Sequence, residues 1–194
     1  GRARAPGLGR TSEAGRERLC PGLRTLRKNL RRAGQGLSMS QDQQGIRYLS
    51  VADLVRLNEL LILAQTPDEP IGVLKPNELE SAQQRPANHR YYARTDDIIT
   101  LAAVFAESLA MNHCFANGNK RTAAAAATVF LLLNGIELTG PAQDFVDIMV
   151  ALVTREASVQ DLEDWMFYWH RPFDAYNLPD SDAFERMVAR LGIG

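Results

Sequence analysis

The segment from His113 to Thr122 gathers, within ten residues, the side chains and backbone positions that phosphate chemistry requires. Asn117, Gly118 and Asn119 tolerate positive φ angles, so consecutive backbone N–H groups can turn towards a single anion. A helical pattern begins directly afterwards, and a helix N-terminus attracts negative charge through its unpaired N–H groups and its dipole. The segment therefore predicts a turn that binds phosphate at the start of a helix.

Three side chains of this segment carry or exchange charge. Arg121 can hold a phosphate through two parallel hydrogen bonds, while Lys120 offers a mobile positive charge. The imidazole of His113 can take a proton from an attacking hydroxyl. We predict that these three residues are catalytic. The predicted phosphate-binding residues are Asn117, Gly118, Asn119, Lys120 and Arg121.

Each of these features also has an ordinary explanation. An Asn-Gly turn between helices is common, Lys120 and Arg121 can form a solvated face, and a histidine at a helix end is usually structural. The spacing Gly-x-x-x-x-Gly-Lys-Ser/Thr is absent from the segment, which disfavours an ordinary P-loop nucleotide hydrolase. The complete string, with Phe115 as the expected core anchor of the loop, favours a functional site.

Two helical patterns flank the segment and must position it. The first follows Asp96 or Asp97 and covers residues 98–113, with apolar residues at helical spacing on one side. The second covers residues 120–134, and Gly135 stands where a left-handed cap would end it. The segment is therefore predicted to join two helices of the core.

The remaining predicted elements complete a mainly helical domain. Ser50 is expected to cap a helix that runs to about Gln65. Residues 86–95 lack helical spacing, so we predict an extended or irregular connection there, including a short strand. The fold class is therefore all-α, with a short extended flap before the motif helix. Further predicted elements are a short helix after Pro76 capped by Asn77, a strand at 136–138, a helix at 142–153, a helix at 158–170 capped by Ser158, and a short helix after Pro179.

Charge divides the chain of 194 residues into a basic head and an acidic body. Residues 1–38 hold ten Lys or Arg against two Glu, a net charge of +8, whereas the remainder holds twelve basic and twenty-one acidic residues, a net of −9. The head has few large apolar side chains, which favours disorder. We interpret it as vector sequence or translated upstream sequence that precedes a natural start at Met39. The alternative is an arm that binds nucleic acid or a membrane surface. We expect one domain over residues 39–176 and a C-terminal tail, residues 177–194, with a short helix.

The cysteines and the hydropathy of the chain indicate the environment in which the protein works. Cys20 and Cys114 are too few for a disulfide framework, so a reducing cytoplasm is expected. No run of about 18 apolar residues occurs, so we expect no membrane-spanning helix. Spacings typical of a metal site, such as His-Glu-x-x-His, are also absent from the sequence.

The string His113-Cys-Phe-Ala-Asn-Gly-Asn-Lys-Arg-Thr122 resembles the motif of the Fic/Doc family, His-x-Phe-x-(Asp/Glu/Asn)-(Gly/Ala)-Asn-(Gly/Lys)-Arg. Lys120 stands in the place of the second glycine of typical Fic proteins, which is similar to the Doc (death-on-curing) branch. Residues 49–58 resemble the opening helix of the family, and residues 130–138 resemble the end of its central helix. The resemblance spans about residues 46–169.

This resemblance implies an ATP-dependent transferase that modifies a hydroxyl group of a protein. Fic-like enzymes move AMP, whereas Doc proteins resemble kinases, so we expect phosphoryl transfer, with adenylyl transfer as the alternative. By motif position, His113 would be the general base on the target hydroxyl. Asn119 and the backbone of Gly118 would line the anion hole, and Lys120 and Arg121 would hold phosphates.

Asn117 occupies the position that often carries Asp or Glu to hold Mg²⁺ in this family. A neutral amide oxygen can still bind the ion but supplies no charge, so binding would depend more on the nucleotide phosphates. We expect ATP and Mg²⁺, with Asn117 as a weak metal ligand and residues 86–95 as the flap that aligns the target. The alternative from another class is a catalytically weak module that binds a nucleotide or an antitoxin.

The resemblance also implies partners. A Doc-like toxin of a toxin–antitoxin system would arrest growth by modifying a protein of the translation machinery. Residues 181–186 partly match the family's inhibitory helix, Ser/Thr-x-x-x-Glu-Gly/Asn, but Arg186 stands where Gly or Asn is expected. A separate antitoxin is therefore favoured over self-inhibition. We expect the domain to bind neither a membrane nor nucleic acid.

Two further groups each have two interpretations, and a third has one. His89 is either a contact of the flap with the target or part of an exposed loop. The aromatic residues at 165–169 could stack on bases, but packing in the core is favoured. The acidic residues at 161–164 are most simply the solvated side of their helix.

Overall fold

The computed structural model describes residues 45–173, which form six helices and two short strands. This part confirms the all-α fold class, and none of its helices is long and apolar enough to cross a lipid bilayer. The basic head with Cys20, the expected helix after Pro179 and the match at residues 181–186 lie outside the described residues. In chain order the elements are α1 (Val51–Gln65), α2 (Pro76–Ala93), α3 (Ile98–Asn112), α4 (Asn119–Leu133), β1 (Ile136–Leu138), α5 (Ala142–Thr154), α6 (Val159–Trp169) and β2 (His170–Pro172).

Helices α3 and α4 form the centre of the domain and are joined by the motif loop (residues 113–118). They pack against each other, and most of their residues are buried. The small side chains of the alanine run in α4 let neighbouring helices come close, and four of them are fully buried. These four are Ala123, Ala125, Ala126 and Ala127. Since α1 and α5 also pack on α4 while α2 and α6 pack on α3, the motif loop emerges from the middle of the core.

Three helices begin with the side-chain caps that the sequence predicts. The Ser50 hydroxyl accepts a hydrogen bond from the N–H of Asp53 at 3.2 Å, and the Asp53 carboxylate accepts one from the Ser50 N–H at 2.7 Å. Ser158 and Asp161 form the same reciprocal capping box at α6. The carboxylate of Asp97 caps two N–H groups of α3. The predicted starts of α1, α3 and α6 are therefore confirmed.

Residues 76–93 form one continuous helix, so the prediction of an extended connection with a strand at residues 86–95 is wrong. Pro86 lies inside this helix although proline lacks the N–H that continues the hydrogen-bond ladder. It is buried together with Leu79 and Ala82, at helical spacing, in a helix that packs mainly on α3. Burial of this stripe outweighs the local cost of the proline.

The two strands form a small antiparallel sheet in which Glu137 lies opposite Arg171. The guanidinium of Arg171 donates to the Glu137 carboxylate at 2.7 and 2.9 Å, and Glu137 is 5% exposed. The strand predicted at residues 136–138 is confirmed. Its partner β2 was not predicted, because His170 looked like the end of the preceding helix.

The structure of α6 tests the interpretations of its aromatic and acidic residues. Trp165 stacks on Phe145 of α5 with ring centroids 5.0 Å apart, so packing in the core is right for this side of the helix. Residues 167–168 are exposed, so packing in the core is wrong for these two. Glu163 accepts a hydrogen bond from the Thr100 hydroxyl of α3 at 2.8 Å, so the acidic side of α6 is partly structural.

Candidate active site

His113 ends α3 in a backbone conformation that turns the chain sharply. Its φ and ψ angles of 49° and 53° lie in the left-handed region, which non-glycine residues adopt infrequently. Its side chain is exposed, and no residue between 45 and 173 forms a hydrogen bond with it. The imidazole is therefore accessible to another molecule at the beginning of the motif loop.

The motif loop is held against the connecting segment (residues 66–75), which links α1 to α2. Cys114 and Phe115 are 0% and 3% exposed, so the loop is anchored in the core. The Cys114 carbonyl accepts hydrogen bonds from two backbone N–H groups of the connecting segment. The Ala116 N–H donates to the Gly72 carbonyl at 2.9 Å. The two chains therefore face each other like a short piece of sheet.

The flap predicted at residues 86–95 is therefore misplaced. The Lys75 ammonium donates to the Asn112 carbonyl at 3.1 Å, so the N-terminal end of α2 lies beside the motif loop. His89 lies in the second half of α2, roughly 20 Å from that end at a rise of about 1.5 Å per residue. The extended chain that faces the motif is the connecting segment.

Asn119 closes the motif loop through both ends of its side-chain amide. Its Oδ1 accepts a hydrogen bond from the Phe115 N–H at 2.9 Å, and its Nδ2 donates to the Phe115 carbonyl at 2.8 Å. The side chain therefore fixes the shape of the loop. Any contact of Asn119 with an anion would come from its backbone N–H.

Gly118 makes the turn from the loop into α4, with φ of 71° and ψ of 16°. Glycine adopts this left-handed conformation without a steric cost, and a β-carbon here would lie 3.2 Å from Nδ2 of Asn58. No side chain caps α4, and within the described part of the chain no acceptor meets the N–H groups of residues 119–121. The start of α4 therefore presents free donors of the kind that bind phosphate at helix N-termini.

The sequence predicts that Arg121 binds phosphate. In the structure, its side chain forms hydrogen bonds with the end of α1 and with the connecting segment. Its guanidinium donates to the Glu69 carboxylate at 2.8 Å, the Thr66 hydroxyl at 3.0 Å and the Gln65 side chain at 3.3 Å. A hydrogen bond from Thr66, followed by the contact with Arg121, holds the pKa of the Glu69 carboxyl below its ordinary value. A phosphate at Arg121 would have to share the guanidinium with Glu69 or displace it.

Lys120 and Asn117 complete the predicted set. Lys120 is exposed in the first turn of α4, and Asn117 donates through Nδ2 to the Pro70 carbonyl at 3.4 Å. Residues 45–173 contain no group of three or more His, Cys, Asp or Glu side chains that could hold a metal ion. This loop does not fit an ion held by the protein alone. It fits an ion held mainly by nucleotide phosphates, with the neutral oxygen of Asn117 as an additional ligand.

Cys114 lies next to His113 but cannot act as a nucleophile at neutral pH. Burial raises the pKa of its thiol, and the carboxylate of Glu78 raises it further, while Lys75 lowers it. Because the thiolate is the reactive form, the protonated and buried thiol is inert. Of these two neighbouring side chains, the imidazole of His113 is the one that can react.

The sequence did not reveal four residues whose side chains contact the motif segment: Asn58, Gln65, Thr66 and Glu69. Asn58 is a buried polar residue among the leucines of α1, and an amide inside an apolar stripe is a signal that could have identified it. Glu69 has no such local signal, because its partner Arg121 lies 52 residues further along the chain.

Comparison with known proteins finds a family that is similar to the part of the chain around the motif loop. Residues 48–131 match the model of the Fic/DOC family, from the start of α1 to the last turns of α4. The match includes the whole motif segment and agrees with the resemblance found in the sequence. Over these 84 of its 194 residues, the chain is similar to the Fic/DOC family.

Two known proteins are similar to parts of this chain. "Toxin Doc" of Mycolicibacterium smegmatis is 42% identical over 66 residues, which cover 31% of this chain and 48% of that protein. The chain thus spans about half the length of this relative. "Protein kinase doc" of Escherichia phage P1 is 28% identical over 119 residues, which cover 61% of this chain and 92% of that protein.

Proposed function

We propose that this chain is a Doc-like toxin that transfers the terminal phosphoryl group of ATP to a hydroxyl group of a target protein. The observation that carries the proposal is the exposed His113 at the end of α3, next to the open N-terminus of α4. The match of residues 48–131 to the Fic/DOC family model supports a transferase. The names of the two relatives, a toxin and a protein kinase, support the same class of activity.

In the proposed reaction, His113 accepts the proton of the target hydroxyl while the hydroxyl oxygen attacks the terminal phosphorus. The bond between this phosphorus and its bridging oxygen breaks, and ADP leaves. The free N–H groups at the start of α4 and the ammonium of Lys120 stabilise the negative charge of the phosphates. Phosphoryl transfer depends mainly on positioning and charge neutralisation, so a compact set of residues is sufficient.

Mg²⁺ belongs to the proposal as the partner of ATP, whose phosphate charge it neutralises when bound. Asn117 is the motif residue whose side-chain oxygen would hold it. Because this oxygen is neutral, we expect the affinity for Mg²⁺ to depend strongly on the nucleotide. Asn117→Asp should then lower the Mg²⁺ concentration needed for half-maximal nucleotide binding, as measured by calorimetry.

The proposal extends to partners and location. A protein of the translation machinery is the proposed target, and a separate antitoxin is the proposed regulator. The similarity to a protein named as a toxin supports both. We place the activity in the cytoplasm, in agreement with the free, buried thiol of Cys114.

A second candidate function is a catalytically weak module that binds a nucleotide or an antitoxin through the same loop. Two observations favour it. Arg121 is already paired with Glu69, and the motif position of Asn117 lacks a negative charge for a metal ion. This candidate predicts nucleotide binding without transfer.

One experiment separates these functions. The purified protein is incubated with a bacterial lysate and ATP labelled either on the terminal phosphate or on the α-phosphate. Label from the terminal phosphate on a protein supports phosphoryl transfer, and label from the α-phosphate would support adenylyl transfer instead. If the protein binds ATP but neither label appears on any protein, the enzymatic proposal is wrong and the binding module is favoured.

A further inference from the structure

We propose that Asn58, on α1, is a positioning residue that holds the motif turn in the shape needed for phosphate binding. It is outside the motif and was not among the predicted site residues. The inference rests on the proposed function, because it assigns a role within the same site. Its evidence is the contact of the Asn58 side chain with Asn117, directly before Gly118, and with Thr122 in the first turn of α4.

Asn58 is a buried amide on the apolar side of α1. It is 1% exposed, and its neighbours Leu57 and Leu61 are buried with it. Burying an amide away from water costs free energy unless the amide forms hydrogen bonds. Its position is therefore explained by the bonds that it forms.

The nitrogen of this amide joins α1 to both sides of the turn. Nδ2 donates to the Asn117 carbonyl at 2.8 Å and to the Thr122 hydroxyl at 3.0 Å. The carbonyl can only accept a hydrogen bond, so the nitrogen of the amide, and not its oxygen, must face it. The chemistry of the contact thus fixes the orientation of the side chain.

This contact sets the direction of a backbone donor in the predicted anion site. The carbonyl of Asn117 and the N–H of Gly118 belong to the same peptide group, which is planar and trans, so they point in opposite directions. By drawing the carbonyl towards α1, Asn58 directs the Gly118 N–H away from α1. That N–H has no acceptor within residues 45–173 and remains available for a phosphate.

The turn also fits closely around Asn58. A β-carbon on Gly118 would lie 3.2 Å from Nδ2, closer than most such contacts, so the glycine allows the turn to approach the amide. Asn58 and Gly118 are therefore a matched pair: the small residue permits the approach, and the amide fixes the orientation of the peptide.

The test compares Asn58→Ala with Leu57→Ala, a matched control that shortens a buried neighbour on the same helix. Both variants are studied at a temperature at which circular dichroism shows them folded. We expect Asn58→Ala to lower kcat/KM for ATP at least tenfold and to raise the Kd for ATP measured by calorimetry. Leu57→Ala should change both by less than twofold. Should Asn58→Ala fail to fold, Asn58→Asp keeps the size of the side chain and removes the donor, with the same expected loss.

A second measurement does not depend on activity. Hydrogen exchange followed by mass spectrometry should show faster deuterium uptake in the peptide that contains residues 115–122 in Asn58→Ala, and no change there in Leu57→Ala. If the wild-type protein neither binds ATP nor transfers a label, the proposed function fails, while the exchange result still decides whether Asn58 holds the turn. Equal uptake and equal losses in the two variants would overturn the inference. Faster uptake with unchanged ATP binding would overturn it too, because the role would then be structural only.

Discussion

The two ends of α4 each carry a left-handed glycine but are completed in different ways. At the C-terminal end, Gly135 has φ of 83°, and the side chain of Asn134 forms three hydrogen bonds of 2.8 to 2.9 Å with the backbones of Arg47 and Phe130. At the N-terminal end, Gly118 has φ of 71°, and no residue of the described chain accepts from the first N–H groups of the helix. One end is satisfied by the protein, and the other presents N–H groups that no described residue accepts from.

Because of this difference, we expect residues at the C-terminal end of α4 to contribute to stability and residues at its N-terminal end to contribute to the chemistry. Unpaired backbone groups at a helix end cost stability unless another partner satisfies them. At the C-terminal end that partner is Asn134, so changes there should affect folding alone. At the N-terminal end the proposed partner is a phosphate, so changes there should affect nucleotide binding and transfer. The predictions below test this separation.

The largest effect is expected for His113→Asn, next to the open end of α4. Asparagine tolerates the left-handed backbone of this position better than most residues, so the fold should be preserved. Loss of the proposed general base should lower the rate of the proposed phosphoryl transfer about 100-fold or more, with little change in the Kd for ATP. His89→Asn, on the distant half of α2, is the control and should keep the wild-type rate. Transfer that survives in His113→Asn would remove His113 from the mechanism.

Asn134→Ala should have the largest effect on stability. It removes three hydrogen bonds and leaves the backbone N–H of Arg47 without the acceptor that Asn134 provides, which should lower the free energy of unfolding by about 2–3 kcal/mol. Urea denaturation measures this loss, and Asn88→Ala on the exposed side of α2 serves as the control. The transfer rate of the folded fraction should stay at the wild-type value. A rate loss as large as that of a motif variant would show that the two ends are coupled.

The variants Gly118→Ala and Gly135→Ala make the same substitution at the two ends of α4. Both force alanine into a left-handed conformation, so each should lower the free energy of unfolding by roughly 1–2 kcal/mol. A β-carbon would also meet Asn58 at 3.2 Å in the first and the Phe173 carbonyl at 3.3 Å in the second. Only Gly118→Ala should weaken ATP binding in calorimetry. Gly72→Ala is the control for both, because a β-carbon there meets no atom within 4 Å.

The smallest effect is expected for Glu69→Gln, which removes the charge that competes with phosphate for Arg121. The Kd for ATP should fall by a factor of about two to five, as expected for an exposed ion pair. Glu59→Gln is the matched control, because Glu59 forms an ion pair of similar exposure with Arg56 on α1. Equal affinities of the two variants would show that Glu69 does not compete.

The pH dependence of this effect follows from the lowered pKa of Glu69. A carboxyl whose pKa is lowered in the folded protein keeps its ion pair above its ordinary pKa of about 4.3 and loses it only as the pH falls through the lowered value. The ratio of the two Kd values, wild type to Glu69→Gln, should therefore be constant between about pH 6 and pH 8. A ratio that changes within this range would assign the effect to another group.

The sequence predicted the parts of the fold that depend on local chemistry. Ser50 and Ser158 with their Asp partners mark helix starts, and Gly135 marks a helix end, because caps depend on residues only a few positions apart. The motif segment was also found in this way, since its residues are contiguous. The prediction that they act together in catalysis still awaits the labelling experiment.

The parts that were missed depend on contacts that are distant along the chain. Pro86 predicts a helix break locally, but its burial, in a helix that packs mainly on α3, keeps α2 continuous. The pairing of residues 72–75 with the motif loop was missed for the same reason. Asn58 and Glu69 join the site only because α1 and the connecting segment fold against α4. A local pattern carries no information about such pairs.

Cys114 gives the protein a built-in reporter of local opening. Its side chain has no exposed surface, and its thiol is protonated at neutral pH. An alkylating reagent should therefore modify it only when the chain on either side separates, at a rate set by that separation. Peptide masses distinguish this label from one on Cys20. The rate of alkylation of Cys114, compared with and without ATP, would therefore measure how much a bound nucleotide reduces local opening of the site.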